Sequence, residues 1–153
     1  MPVQKQHKKR PHKKSLLKPF SSGKSPRKVQ KPTSYYEKQF SWRVHNKYID
    51  CDHPKLGWSQ IDPVHLLTFI IKGLHKYEGM TWGEVNEIEH CHPWDLDRIP
   101  KEFLNRLQER NVDVHEIFQI SLGNRPRVFG NRDVAVFYLI WYDHDHKFWP
   151  TEP

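Results

Sequence analysis

The longest apolar run of the chain is VAVFYLIWY, which occupies residues 134–142. Apolar side chains at nearly every position, without alternation, are typical of a central β-strand that is covered on both faces. Alternating apolar and polar residues predict an earlier strand over residues 116–122, and residues 127–129 form a short strand between two turns. These three strands are expected to form an antiparallel meander.

Upstream of this meander, the sequence predicts one further strand and three helices. Alternating apolar and polar residues predict the strand over residues 39–49. Helices are expected to begin at Pro63, which follows an acidic N-cap residue, after Thr81, which has capping-box spacing, and at Pro100. The predicted fold is an α+β domain over residues 35–153, with the order β-α-α-α-β-β-β, an antiparallel sheet and helices packed on one face.

The basic charge of the chain is concentrated in residues 1–34. This segment holds 11 of the 25 Lys and Arg residues and no Asp or Glu, whereas residues 35–153 hold 14 basic and 18 acidic residues. Because it contains few apolar residues, the segment cannot offset the entropy of ordering and is predicted to be a disordered basic arm. Cations without acids favour salt-dependent binding of RNA or DNA. The predicted nucleic-acid contacts of the arm are Lys8, Lys9, Arg10, Lys13, Lys14, Arg27 and Lys28.

Two other roles for the arm stay open at this point. It could serve only as a solubilising tail, or it could fold over the acidic remainder of the chain. The two cysteines, Cys51 and Cys91, provide no disulfide framework, which fits a reducing, cytoplasmic location. A nine-residue apolar run is too short to span a membrane, so no membrane partner is expected. Glycine-rich phosphate and dinucleotide loops are missing from the sequence, and no cofactor is predicted.

Histidine is the most informative residue type in the acidic part of the chain. Three groups stand out: CDH at residues 51–53, HCH at residues 90–92 and DHDH at residues 143–146. Structural zinc sites usually separate paired ligands by two to four residues, but here only one residue intervenes, so no metal site is predicted. The alternative is that these histidines bond to loop backbone. If the three loops meet at one end of the sheet, their histidines would form a single cleft.

Arginines and histidines together suggest a reaction class. A guanidinium binds phosphate through two hydrogen bonds, and an imidazole transfers protons near neutral pH. A ribonuclease that uses the ribose 2′-hydroxyl as nucleophile needs a base, an acid and a cationic phosphate site, and it needs no metal. The candidate proton-transfer residues are therefore His144, His146, His92 and His53, and the candidate phosphate and nucleic-acid contacts are Arg125, Arg127 and Arg132. Arg127 is included among the candidate catalytic residues on the resemblance described next.

The run FQISLGNRPRVFG at residues 118–130, followed by VFYLIWYDHDH at residues 136–146, resembles the final strands of the RelE/ParE-like toxin superfamily. The resemblance implies a toxin-type domain that cleaves RNA or inhibits a partner, and an antitoxin-like protein partner. It implies that Arg127 contacts phosphate and that His144 or His146 assists proton transfer. The alternative function is a non-catalytic nucleic-acid or protein binding module, such as an accessory protein of a phage or mobile element, tethered by its basic arm.

Overall fold

A computed structural model describes residues 33–147 of the protein, with side chains from residue 35 onward. All 11 cations of the predicted arm, the last of which is Lys31, lie outside the described residues. Thr33 and Ser34, which the sequence analysis placed in the arm, instead belong to a short helix, α1, over Thr33–Tyr36. The first described element therefore begins two residues before the boundary that the change in composition indicates.

Five strands form one sheet in the order β1-β5-β4-β3-β2. Their bounds are Ser41–Arg43 for β1, His92–Pro93 for β2, Ile117–Ser121 for β3, Arg127–Asp133 for β4 and Val136–Asp143 for β5. The predicted antiparallel meander is confirmed, since β4 pairs antiparallel with both β3 and β5. However, β1 pairs parallel with β5, so the sheet is mixed rather than antiparallel. Only a hairpin forces neighbouring strands to be antiparallel, and a long connection separates β1 from β5.

The first strand is much shorter than the predicted range of residues 39–49. After β1 the chain leaves the sheet, and a loop from Asp50 to Trp58 bonds to the second half of β5 instead. The amide of Asp50 and the indole of Trp58 both donate to the carbonyl oxygen of Ile140, at 3.1 and 2.8 Å, and the amide of Tyr142 donates to the carbonyl of Leu56 at 3.2 Å. This loop takes the place of the second half of the predicted strand, because it forms hydrogen bonds to backbone groups on the same edge of β5.

The three predicted helix starts are confirmed. Helix α2 consists of the consecutive segments Pro63–His65, Leu66–Ile71 and Lys72–Tyr77, of which the middle one is a π-helix. Helix α3 spans Trp82–Asn86 and begins with the predicted capping box, and helix α4 spans Lys101–Glu109. Two 3₁₀ turns, at Trp58–Gln60 and Leu96–Arg98, complete the helical elements of the described residues.

The helices cover both faces of the sheet. On one face, α2 and α3 pack against the sheet through a cluster that includes Ile70, Leu74, Trp82, Phe118 and Phe137. On the other face, α4 packs through a cluster that includes Phe103, Leu107, Phe129, Ile140 and Trp141. The prediction of helices on one face is wrong, because β4 and β5 carry large apolar side chains on both sides and each side must be covered.

A β-bulge changes which face the end of β5 presents to α2. Phe129 lies opposite Trp141, but the next residue, Gly130, lies opposite Leu139, so Ile140 is an extra residue in β5. As a result Trp141 shares the cluster of α4, whereas Tyr142 belongs to the cluster of α2. Glycine is required here, since a Cβ on Gly130 would lie 2.5 Å from the ring of Phe137. The bulge therefore sets the direction of the Tyr142 side chain.

Candidate functional site

A cleft of about 360 Å³ opens where the carboxyl end of β5 meets the amino end of α2. Its walls come from the loop before α2, from the first turn of α2 and from the polar segment after β5. The lining residues are Lys55, Gly57, Gln60, Ile61, Asp62, His65, Tyr142, Asp143, His144 and Asp145. The cleft therefore contains one of the predicted catalytic histidines together with a histidine from a different element.

Three of these side chains form a hydrogen-bonded triplet. The hydroxyl of Tyr142 lies 2.9 Å from Nε2 of His65 and 2.8 Å from Nδ1 of His144. Tyr142 is buried, and the ring of Phe69 stacks on the His65 ring with centroids 4.9 Å apart and planes 14° apart. Burial and stacking restrict the rotamers of the tyrosine and of His65, so the geometry of the triplet is fixed by the core rather than by the exposed His144.

The two hydrogen bonds constrain the protons on the imidazoles. A phenol has one proton to donate, so Tyr142 donates to one imidazole and accepts an N–H from the other. Each neutral imidazole carries one proton, and the inner nitrogens differ in protonation, so the outer nitrogens must differ as well. Within the described part of the chain, neither Nδ1 of His65 nor Nε2 of His144 makes a hydrogen bond. The triplet thus presents one base and one acid when both rings are neutral.

The tyrosine is held in its neutral form. Burial raises the pKa of Tyr142 well above its usual range, and the nearby carboxylates of Asp145 and Asp143 raise that pKa further. A neutral hydroxyl can both donate and accept, whereas a phenolate can only accept. Tyr142 therefore keeps its bridging role throughout the physiological pH range.

Two acidic residues of the cleft have local partners that balance their charge. The carboxylate of Asp62 accepts a hydrogen bond from the amide of His65 at 3.0 Å and caps the positive end of α2. The carboxylate of Asp145 forms an ion pair with Lys147 at 3.6 Å. These contacts offset part of the negative charge of Asp62 and Asp145.

Arg127, the predicted phosphate contact, is 3% exposed. Its Nη1 donates to the carbonyl oxygens of Gly123 and Pro126 at 3.2 and 3.1 Å, so the guanidinium holds the turn between β3 and β4. In the sheet register Arg127 lies opposite the buried Asp143, one residue before His144. This burial does not support direct contact with a phosphate and makes Arg127 a structural residue behind the cleft.

The other two hairpin arginines lie at opposite ends of the sheet. Arg125 is exposed in the turn after β3, at the end of the sheet where the cleft opens. Arg132 is at the far end, where its guanidinium stacks 3.8 Å above the ring of Tyr35 and pairs with Glu116. Of the three hairpin arginines, Arg125 is therefore the one that is both exposed and at the same end of the sheet as the cleft.

The remaining predicted histidines do not line the cleft. His53 is buried on the α4 face, where Nδ1 accepts from the amides of Lys55 and Leu56 at 3.1 and 3.0 Å; burial lowers its pKa. His92 lies in β2, which β4 and β3 separate from β5, about 14 Å at the usual strand spacing. His146 is half-buried with a φ of 54°. Of the four candidate catalytic histidines, His144 is thus the one that lines the cleft.

His65 is the member of the triplet that the sequence did not reveal. Its position in the first turn of α2 follows from the DP pair at residues 62–63, which correctly marks the helix start. Nothing local links it to Tyr142, which lies 77 residues further along the chain. The pairing depends on how α2 packs on β5 and on the bulge in that strand.

Comparison of the chain with protein-family models, with curated proteins and with solved structures finds no match in any of the three. Between residues 33 and 147, no group of three or more His, Cys, Asp or Glu side chains is arranged to hold a metal ion. None of the helices in this part of the chain has the length and apolar character needed to cross a membrane.

Proposed function

We propose that this protein cleaves RNA without a metal ion, using His65 and His144 as its base and acid. The observation that carries the proposal is the Tyr142 hydroxyl between the two imidazoles, at 2.9 and 2.8 Å, which gives the outer nitrogens opposite protonation. One nitrogen removes the proton of the ribose 2′-hydroxyl as its oxygen attacks the adjacent phosphorus. The other donates a proton to the departing 5′-oxygen.

Binding of the RNA is assigned to cations outside the triplet. Lys55 lines the cleft, and Arg125 is exposed at the same end of the sheet. The cleft volume falls in the range of sites that hold small organic groups, so it can accept a single nucleotide of an unpaired strand. The basic arm supplies affinity for the rest of the strand through release of counterions.

The resemblance to the RelE/ParE-like toxins supports the same proposal in two respects. The helices precede the β3-β4-β5 meander, which is the order that the resemblance implies, although the third helix, α4, is additional to that pattern. The segment after β5 contributes His144 to the cleft, where the resemblance implies a proton-transferring residue. An antitoxin-like protein that covers the cleft is part of this proposal.

Incubation of the purified protein with RNA, with and without EDTA, tests the proposed activity. We expect cleavage that is insensitive to chelator and falls about 10²–10⁴-fold in His144→Ala and in His65→Ala. His75→Ala is the matched control, because His75 lies on the same helix but is exposed, and its ring pairs with Glu78. Full activity in both site variants, or loss of activity with EDTA, would contradict the proposal.

A binding module without catalytic activity is the second candidate. The observation that favours it is the separation of charge, with 11 cations confined to residues 1–34 and an acidic remainder. In that case the arm holds the nucleic acid and the cleft recognises another group. Stable RNA binding by the full chain without any cleavage product would support this second function over the first.

A further inference from the structure

We propose that Tyr142 is a proton relay through which His65 and His144 exchange the roles of base and acid at each cleavage, so that the reaction proceeds while both imidazoles are neutral. This inference rests on the proposed RNA cleavage and extends it to a further residue. The bridging geometry carries it, since one hydroxyl contacts a nitrogen of each ring within hydrogen-bond distance.

The triplet has two states that differ only in where the protons lie. In the first state Nε2–H of His65 donates to Tyr142, and Tyr142 donates to Nδ1 of His144. Both rings then carry their proton on Nε2, so His65 Nδ1 is the base and His144 Nε2–H is the acid. In the second state every bridging proton is shifted, and both rings carry their proton on Nδ1. The two histidines therefore always share the same tautomer.

One cleavage converts the first state into the second. The 2′-oxygen forms a bond to phosphorus and its proton moves to Nδ1 of His65, while the bond from phosphorus to the 5′-oxygen breaks and that oxygen takes the proton of His144 Nε2. The proton on His65 Nε2 moves to Tyr142, and the proton of Tyr142 moves to His144 Nδ1. Both rings end neutral with their roles exchanged. The first state is restored when water opens the resulting 2′,3′-cyclic phosphate: Nε2 of His144 takes a proton from the attacking water, Nδ1–H of His65 protonates the departing 2′-oxygen, and the two bridging protons move back through Tyr142.

The surroundings of the hydroxyl favour a relay over a fixed charge. The charged groups that line the cleft around it are Lys55 and Asp62 from the loop before α2, Asp143 at the end of β5 and Asp145 from the segment after β5. The carboxylates of Asp145 and Asp143 oppose formation of a phenolate. In this environment Tyr142 can transfer a proton only as it receives one, which keeps the hydroxyl neutral before and after each transfer.

The pH dependence of cleavage distinguishes this relay from a merely structural tyrosine. A pair of unlinked histidines needs one ring protonated, and that fraction falls about tenfold per pH unit above the imidazole pKa. We expect the cleavage rate of the wild-type chain to stay within about twofold between pH 7 and 9, and that of Tyr142→Phe to fall about tenfold per unit. Tyr138→Phe is the matched control and should keep the wild-type pH profile. Tyr138 lies on the same strand but packs on the opposite face, where its ring centroid is 4.8 Å from that of Tyr48.

Nuclear magnetic resonance of the wild-type chain gives a second test that does not depend on the variant folding. The ¹⁵N shifts of the two rings near pH 8.5 should show the same tautomer for His65 and His144. Different tautomers, or a bell-shaped pH profile in the wild-type chain, would overturn the relay and leave RNA cleavage intact. Absence of cleavage in the wild-type chain would instead overturn the proposed function, and the relay with it.

Discussion

Asp50 carries its charge inside the protein, at 1% exposure. Nε and Nη2 of Arg106 donate to its two oxygens at 2.9 and 2.8 Å, and the indole of Trp141 donates at 3.0 Å. Burial alone would raise the pKa of Asp50, but these hydrogen bonds and the charge of Arg110 outweigh it and lower the pKa to about 2. The residue ties the loop before α2 to both α4 and β5.

Removal of this charge should change the response of the protein to acid. Because the pKa of folded Asp50 lies below its value in the unfolded chain, the carboxylate adds stability above about pH 4, which is lost as the pH falls toward 2. We expect the free energy of unfolding of Asp50→Asn at pH 7 to be lower by about 3 kcal/mol, since Arg106 loses its partner. Urea denaturation at pH 7, 4 and 2.5 measures this, with the exposed Asp113→Asn as control. If the wild-type chain, Asp50→Asn and Asp113→Asn lost the same stability on acidification, the low pKa of Asp50 would not be the source of the acid sensitivity.

His53 is assigned a structural role by its contacts, and a substitution can separate that role from catalysis. Its Nδ1 accepts from the amides two and three residues ahead, which is the acceptor position of an asparagine side-chain turn. We expect His53→Asn to keep the turn, to lose about 1–2 kcal/mol of stability through the lost stacking on Phe103, and to cleave RNA at the wild-type rate. Cleavage assays well below the melting temperature check this, and a loss comparable to that of His144→Ala would return His53 to the active site.

At the scale of elements, the loop from Asp50 to Trp58 forms one wall of the cleft. Gly57 allows the end of this loop to pack against the backbone at its start. A Cβ on Gly57 would lie 2.5 Å from the carbonyl oxygens of Cys51 and His53, which are backbone atoms with no room to move. The loop also binds the second half of β5, where the bulge turns Tyr142 toward α2. A change in the conformation of the loop should therefore alter the position of Tyr142 in the triplet.

Two alanine substitutions test this closure against a matched position. We expect Gly57→Ala to lower the free energy of unfolding by about 2–3 kcal/mol through overpacking. Gly79→Ala should leave stability unchanged or slightly higher, because nothing lies within 4 Å of a Cβ there. Thermal melts of both variants provide the measurement. A Gly57→Ala protein as stable as Gly79→Ala would show that the loop is not packed as described.

On the scale of the whole molecule, charge is divided between residues 1–34 and the acidic remainder. Each cation that neutralises a phosphate of a single strand adds about 0.7 to the slope of log affinity against log salt. This relation allows the contribution of the arm to RNA binding to be measured in the full chain, separately from any cleavage.

Replacement of five arm cations, Lys8, Lys9, Arg10, Lys13 and Lys14, by glutamine should weaken RNA binding and make its salt slope shallower by up to about 3.5. The matched control replaces five exposed lysines of the described residues, Lys38, Lys47, Lys72, Lys76 and Lys101, and should change the slope little. Fluorescence anisotropy with a labelled RNA over about 50–200 mM salt gives both slopes. Equal changes of the salt slope in the two variants would contradict the assignment of RNA binding to the arm.

The sequence by itself determined the meander, the three helix starts and the separation of charge along the chain. Each depends on local chemistry: the apolar run of residues 134–142 requires burial, and the acidic residue before Pro63 and the capping box at Thr81 satisfy helix amides. It also placed His144 in the polar segment after the last strand. These features need no knowledge of which elements meet.

The tertiary structure alone decided which histidines meet. His53 and His92 are of a residue type suited to an active site, but neither lies near the cleft. His53 lies on the face of the sheet that α4 covers, and His92 lies in β2. His65 joins His144 through Tyr142 because α2 packs on the face of β5 that the bulge at Ile140 presents. One extra residue in a strand reverses the direction of the side chains that follow, and no local pattern in the sequence records where that residue is accommodated.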